Sequence, residues 1–151
     1  MRRVGPRAGW AGGVLAWLSL ALLVLWGTGV LMYLLPASEL MDMSESQAAL
    51  RRTSGIVHGV TTWLVCGLCG RGVWPHVQLM WSHRVDRRQW SWGVVNLTVL
   101  LVLLASGLVL LYGHADVHEL TSTSHVWVGL LAPLPYVVHG WRGWRKSDGR
   151  T

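Results

Sequence analysis

Four long apolar segments dominate the pattern of hydrophobic and polar positions along the chain. They run roughly from Trp10 to Leu35, Ile56 to Trp81, Trp90 to Tyr112 and Ser124 to Trp141. Each is close to or longer than the ~20 residues that an α-helix needs to cross a bilayer. The pattern therefore predicts an all-α membrane protein, with transmembrane helices at about 10–35, 54–81, 90–112 and 122–142.

Composition favours a single integral-membrane domain covering residues 1–151. The chain is 52% hydrophobic and only 13% charged, and a soluble domain of this size has too little interior to bury so much apolar sequence. The first segment begins with arginines, as a signal peptide does, but its apolar run is about twice as long as the usual one. We therefore expect this segment to be retained as a helix.

The charged residues between the segments predict an orientation. Ten of the 13 basic residues fall on one side, namely Arg2, Arg3, Arg7, Arg84, Arg87, Arg88, Arg142, Arg145, Lys146 and Arg150. The other side carries Glu39, Asp42, Glu45, Asp116 and Glu119, together with Arg51 and Arg52. By the positive-inside rule both termini are cytoplasmic, and the expected location is a bacterial inner membrane. The net charge of +6 reflects this topology and gives no support for nucleic-acid binding.

Four histidines lie inside the apolar segments, two on the second and two on the fourth. His58 and His76 are 18 residues apart, and His125 and His139 are 14 apart. At about 100° per residue, each pair returns to nearly the same helix face. An imidazole in hydrocarbon is costly and normally binds something. We predict two stacked bis-histidine haems, the outer one held by His58 and His125 and the inner one by His76 and His139.

The chain also contains an internal repeat. The matching positions are Thr28-Gly29 with Ser106-Gly107, His58 with His125, and His76 with His139. This repeat predicts a four-transmembrane-helix bundle built from two parallel helix-pair repeats. Gly29 and Gly107 would remove side chains where a flat macrocycle presses against the backbone. Their alternative role is helix–helix packing through small residues.

The two histidine spacings differ by about one helical turn. They correspond to roughly 27 Å on the second segment and roughly 21 Å on the fourth. Greater tilt, or a distortion around Gly70, Gly72 and Pro75, would absorb the difference. Alternatively another histidine replaces one ligand, the candidates being His83, His114 and His118, which otherwise serve as interfacial polar residues.

Cys66 and Cys69 lie three residues apart in the second apolar segment. No histidine follows directly, so the pair is not a covalent c-type haem site. We interpret both cysteines as small residues at a helix contact.

The histidines and their neighbouring residues resemble those of a known family. The matching motifs are Thr28-Gly29, His58-Gly59, Trp74-Pro75-His76, Ser106-Gly107, His125 and His139-Gly140-Trp141. With these motifs the chain resembles the small four-helix b-type cytochromes of bacteria, which include cytochrome b561-like and DUF4405-like membrane proteins. It is also similar to the cytochrome b subunits of formate dehydrogenases and nickel-iron hydrogenases.

This resemblance implies two b haems that pass electrons across the membrane between quinone and a periplasmic redox subunit. The expected partner is a multihaem cytochrome c or an iron–sulfur or molybdenum oxidoreductase, because the loops are too short for a second catalytic domain. Bis-imidazole ligation leaves no open iron position, which favours electron transfer over oxygen chemistry. The chain is then an electron-transfer subunit rather than a stand-alone enzyme.

Two other classes of protein stay open at this point. One is a small transporter in which the histidines relay protons or bind a transition metal, although ligands roughly 21 Å apart cannot share one ion. The other is a structural or assembly subunit without haem. An absorption spectrum of the purified protein distinguishes these classes from a cytochrome.

Overall fold

Five α-helices account for nearly all of the described chain. A computed structural model describes residues 12–36, 41–82 and 87–148, and no strand occurs in these ranges. The helices are α1 (Gly12–Leu34), α2 (Glu45–Ser82), α3 (Arg87–Tyr112), α4 (Ala115–Leu131) and α5 (Pro133–Asp148). The predicted all-α fold is confirmed.

Within the described residues, three helices are long and apolar enough to cross a membrane. The spans are Gly13–Leu34, Glu45–Gln78 and Trp90–Tyr112, which correspond to the first three predicted segments. The membrane character predicted from the sequence is supported by these three helices.

The fourth predicted helix, at 122–142, is not one continuous element. It is divided into α4 and α5 at Ala132, and α4 begins at Ala115, well before the predicted start. Pro133 has no N–H to donate to the Gly129 carbonyl, and the N–H of Ala132 donates to that carbonyl instead, at 3.3 Å. Ala132 keeps helical angles, φ −54° and ψ −33°, so the break is confined to the residues around the proline.

Helix α2 begins nine residues earlier than the predicted start at residue 54. Ser44 and Gln47 form a reciprocal capping box: the Gln47 N–H donates to Ser44 Oγ at 3.3 Å, and the Ser44 N–H donates to Gln47 Oε1 at 3.0 Å. The helix then runs for 38 residues, about 57 Å, which exceeds the ~30 Å hydrocarbon core. Its first turns therefore extend beyond the hydrocarbon.

One basic residue, Arg71, belongs to neither side of the predicted topology because it lies within α2. Its side chain is exposed. Pro75, four residues later inside the same helix, lacks the N–H that would bond to the Arg71 carbonyl.

The contacts of the chain group into two units, residues 1–84 and 85–151. In the first unit α1 and α2 pack antiparallel. Arg51 Nε of α2 donates to the Leu35 carbonyl just after α1, at 2.7 Å, and so caps that helix end. One turn further, a Cβ at Gly55 would lie 3.7 Å from the Met32 sulfur. Leu18 and Val65 are buried between these two helices.

In the second unit α3 contacts both α4 and α5. The chain reverses over Gly113 and His114, and a Cβ at Gly113 would collide with the Val109 carbonyl oxygen, so glycine is required there. Beyond this turn α4 returns along α3, and a Cβ at Gly129 would lie 3.7 Å from Leu103 Cδ2. Because α3 and α4 run antiparallel, residues near the end of α3 lie beside residues near the start of α4.

Candidate functional site

Two of the four predicted ligands contact a hydroxyl group on the neighbouring helix. In the first unit His58 Nδ1 lies 3.0 Å from Thr28 Oγ1 of α1. In the second unit His125 Nδ1 lies 2.7 Å from Ser106 Oγ of α3. Both histidines are half-buried. Each unit thus contains the same local contact, formed by residues that the sequence analysis had matched.

Both hydroxyl hydrogens are used by the helix on which they lie. Thr28 Oγ1 donates to the Val24 carbonyl at 2.7 Å and approaches the Leu25 carbonyl at 3.1 Å. A hydroxyl has one hydrogen and two lone pairs, so towards the imidazole Thr28 acts as an acceptor. The matching tautomer of His58 carries its proton on Nδ1 and its lone pair on Nε2.

The same argument applies to the second unit. Ser106 Oγ donates to the Val102 carbonyl at 2.8 Å and approaches the Leu103 carbonyl at 3.1 Å. With its hydrogen on the backbone, Ser106 is an acceptor towards His125 Nδ1, and the matching tautomer of His125 has its lone pair on Nε2. A histidine that binds a metal through Nε2 normally has its Nδ1–H held by an acceptor of this kind.

The predicted glycines lie directly beside these rings. A Cβ at Gly29 would lie 3.5 Å from Cε1 of His58, and a Cβ at Gly107 would lie 3.7 Å from Cε1 of His125. A methyl group would make ordinary contact at either position, but a longer side chain would run into the imidazole. Glycine therefore lets the first helix of each unit approach the histidine closely. Whether the two glycines also face a macrocycle stays a prediction.

The other two histidines lie further along the same segments. The Nδ1 atoms of His76 and His139 are both buried. His139 packs against Gly93 of α3, where an added Cβ would be 3.2 Å from its Cε1 and 3.7 Å from its Nδ1. That distance is tight, so even alanine at this position would push the ring aside.

Sequence reasoning missed Gly93, although a signal was present. Gly93 precedes Gly107 by 14 residues, and His139 follows His125 by 14 residues. In two antiparallel helices, equal spacing places both glycine–histidine contacts at matching heights. If α3 and the following segment are assumed to form an antiparallel pair, the equal 14-residue spacings predict the contact between Gly93 and His139.

The two segments with different histidine spacings also differ in helix continuity. His58 and His76 lie on the single helix α2, which continues through Gly70, Gly72 and Pro75. His125 and His139 lie on separate helices, because the break at Ala132 falls between them. A break is thus found in the fourth segment, and the tilt or distortion expected in the second stays a prediction.

The alternative ligands do not join these sites in the described structure. His114 Nδ1 lies 3.0 Å from Asp116 Oδ2, with both side chains more than 80% exposed. His118 is also exposed, and His83 lies outside the described residues. Cys66 and Cys69 are half-buried free thiols. Within residues 12–36, 41–82 and 87–148, no three His, Cys, Asp or Glu side chains lie close enough together to hold a single metal ion.

Comparisons of the chain with protein-family models, with curated proteins and with solved structures find no match.

Proposed function

We propose that this protein is a membrane b-type cytochrome in which His58, His76, His125 and His139 hold two haems. The observation that carries the proposal is the hydroxyl–imidazole contact found in both units. In each, the nitrogen that contacts the side-chain oxygen is Nδ1, and Nε2 is the nitrogen that we assign as the iron ligand. The residues present therefore fit an axially ligated haem.

Spacing favours two haems over one shared ion. The histidines of each segment are separated by roughly 20 Å or more along their helices, whereas ligands to one ion lie about 2 Å from it. A haem with two histidine ligands instead requires one histidine from each of two segments, with room beside each ring for a planar group. Gly29, Gly107 and Gly93 supply small residues next to three of the four rings.

The proposed architecture has four membrane crossings arranged as two repeats. α1 and α2 form the first repeat; α3 with the α4–α5 segment forms the second, with α4 and α5 together making the fourth crossing. The Thr28-Gly29 and Ser106-Gly107 pairs, each facing one histidine, support the assignment of a repeat. A proline break within a crossing is tolerated where neighbouring groups bond to the freed backbone.

A bound haem supplies reversible one-electron chemistry at its iron, and two haems divide the ~30 Å hydrocarbon core into shorter electron-transfer steps. The polypeptide places four imidazoles in largely apolar segments, and hydrogen bonds hold two of their rings. Arg52 is available for a haem propionate, while Arg51 already caps α1 through the Leu35 carbonyl. Quinone and a periplasmic redox subunit are the proposed reaction partners.

Haem content tests this proposal directly. The protein purified in detergent is expected to contain about two b haems per chain, with a reduced spectrum typical of low-spin bis-imidazole iron. Pyridine haemochrome analysis against quantitative amino-acid analysis gives the ratio. A colourless protein would leave the transporter and the assembly subunit as the remaining classes, and a ratio near one would exclude the two-haem form.

Topology provides a second prediction, based on the distribution of basic residues. In a background without Cys66 and Cys69, a cysteine at Ser46 is expected to react with an impermeant maleimide in intact cells, and one at Ser147 is not. Both are expected to react after the cells are lysed, which controls for accessibility. The reverse pattern in intact cells would invert the orientation and move the partner to the cytoplasmic side.

A further inference from the structure

We infer that Thr28 and Ser106 are positioning residues that together set the reduction potential of the one iron site formed by His58 and His125. The inference rests on the proposed haem ligation and adds a role for two hydroxyl groups that bind no iron themselves. Each hydroxyl lies between a backbone carbonyl and an imidazole Nδ1, at distances of 2.7 Å and 3.0 Å for Thr28 and 2.8 Å and 2.7 Å for Ser106.

The direction of these hydrogen bonds determines their effect. The hydroxyl donates its own hydrogen to the carbonyl four residues earlier, and in the tautomer proposed here the imidazole donates its Nδ1–H to the hydroxyl oxygen. The second bond polarises the hydroxyl and makes its oxygen a better acceptor. A stronger acceptor at Nδ1 increases the electron density at Nε2, so the ligand stabilises ferric iron more than ferrous iron. Both hydroxyls are therefore expected to lower the potential of their haem.

Helix packing alone does not account for these hydroxyls. Ser91, on the same helix as Ser106, also donates to the carbonyl four residues earlier, Arg87, at 2.6 Å, but its side chain is exposed and reaches no histidine. Ser106 makes the same backbone bond and in addition contacts His125. Gly29 and Gly107 follow the two hydroxyls directly and let the helix backbone approach the ring. Ser91 is thus a matched control for Ser106.

The test measures potentials in Thr28→Val, Ser106→Ala and the double variant of the haem-loaded protein. Both single variants are expected to raise the midpoint potential of the same haem, the one held by His58 and His125, each through an approximately tenfold loss of preference for ferric iron, which is about 59 mV for one electron. The low-spin ferric EPR g values of that haem are expected to shift with it. Thr28→Ser is expected to restore the original potential, and Ser91→Ala is expected to change neither haem.

Thr28 and Ser106 act on the two ligands of the same haem, so if one single variant fails to fold, the other still tests the inference. Variants that keep both haems with unchanged potentials and EPR signals would overturn this inference and leave the haem assignment standing. The inference would also be overturned if Thr28→Ser shifted the potential as much as Thr28→Val does, because the change would then follow from packing and not from loss of the hydroxyl. A parent protein without haem would overturn the proposed function and, with it, this role.

Discussion

Alanine at His58 is expected to remove the same redox component as alanine at His125, and to lower the haem content from about two per chain to about one. Each substitution deletes one axial ligand of the proposed outer haem, and an iron with a single imidazole loses both its low-spin spectrum and most of its affinity. Potentiometric titration followed in the haem absorption bands measures which component disappears. Alanine at His76 and at His139 is expected to remove the other component.

The control for these substitutions is His118→Ala, since His118 is exposed and lies outside the proposed ligand set. Both haems and both potentials are expected to persist in that variant. If His76→Ala retained both components while His83→Ala lost one, the ligand assignment on α2 would be wrong. If alanine at His58 and at His125 removed different components, the pairing of the histidines would be wrong.

Gly107→Leu is expected to lose most of the occupancy of one haem, and Gly29→Leu is expected to do the same. A Cβ at either position already makes ordinary contact with a histidine ring, so the three further carbons of leucine would fill the space beside the imidazole. Close-packed surroundings accommodate such bulk poorly, and haem content is expected to fall from about two per chain towards one. Haem analysis and thermal unfolding of the purified variants separate loss of cofactor from loss of fold.

Gly67→Leu provides the matched control, because an added Cβ at Gly67 meets nothing within 4 Å. It lies nine residues after His58, which places it on the opposite face of α2. This variant is expected to keep both haems. Should Gly107→Leu behave like Gly67→Leu, with unchanged spectra and potentials, Gly107 would be a lipid-facing or helix-packing residue and the repeat a coincidence of leucine-rich sequence.

Hydrophobic pattern alone was sufficient to predict the first three spans, because a helix that crosses hydrocarbon must be apolar over a length fixed by the bilayer. It was a poor guide to where α2 begins. The Ser44-Glu45-Ser46-Gln47 capping box extends that helix into polar sequence, where apolar periodicity carries no information. Likewise Pro133 divides the fourth predicted helix through backbone hydrogen bonding, although the surrounding residues are uniformly apolar.

The site was predictable in part. The four histidines and Gly29 and Gly107 were identified from spacing and from the repeat, and the structure brings each of these two glycines against a histidine. The hydrogen bonds from His58 and His125 to Thr28 and Ser106 were not predicted. They depend on the rotational register of two helices, which spacing along one helix does not determine.

The break at Ala132 has a mechanical consequence for the histidines on either side of it. His58 and His76 belong to one helix, so any motion of that helix carries both imidazoles together. His125 and His139 belong to two short helices joined at a single residue. The orientations of these two imidazoles are therefore set by two helix axes and by their separate contacts with α3, at Ser106 and at Gly93. The two imidazoles of α2 are instead attached to one helix.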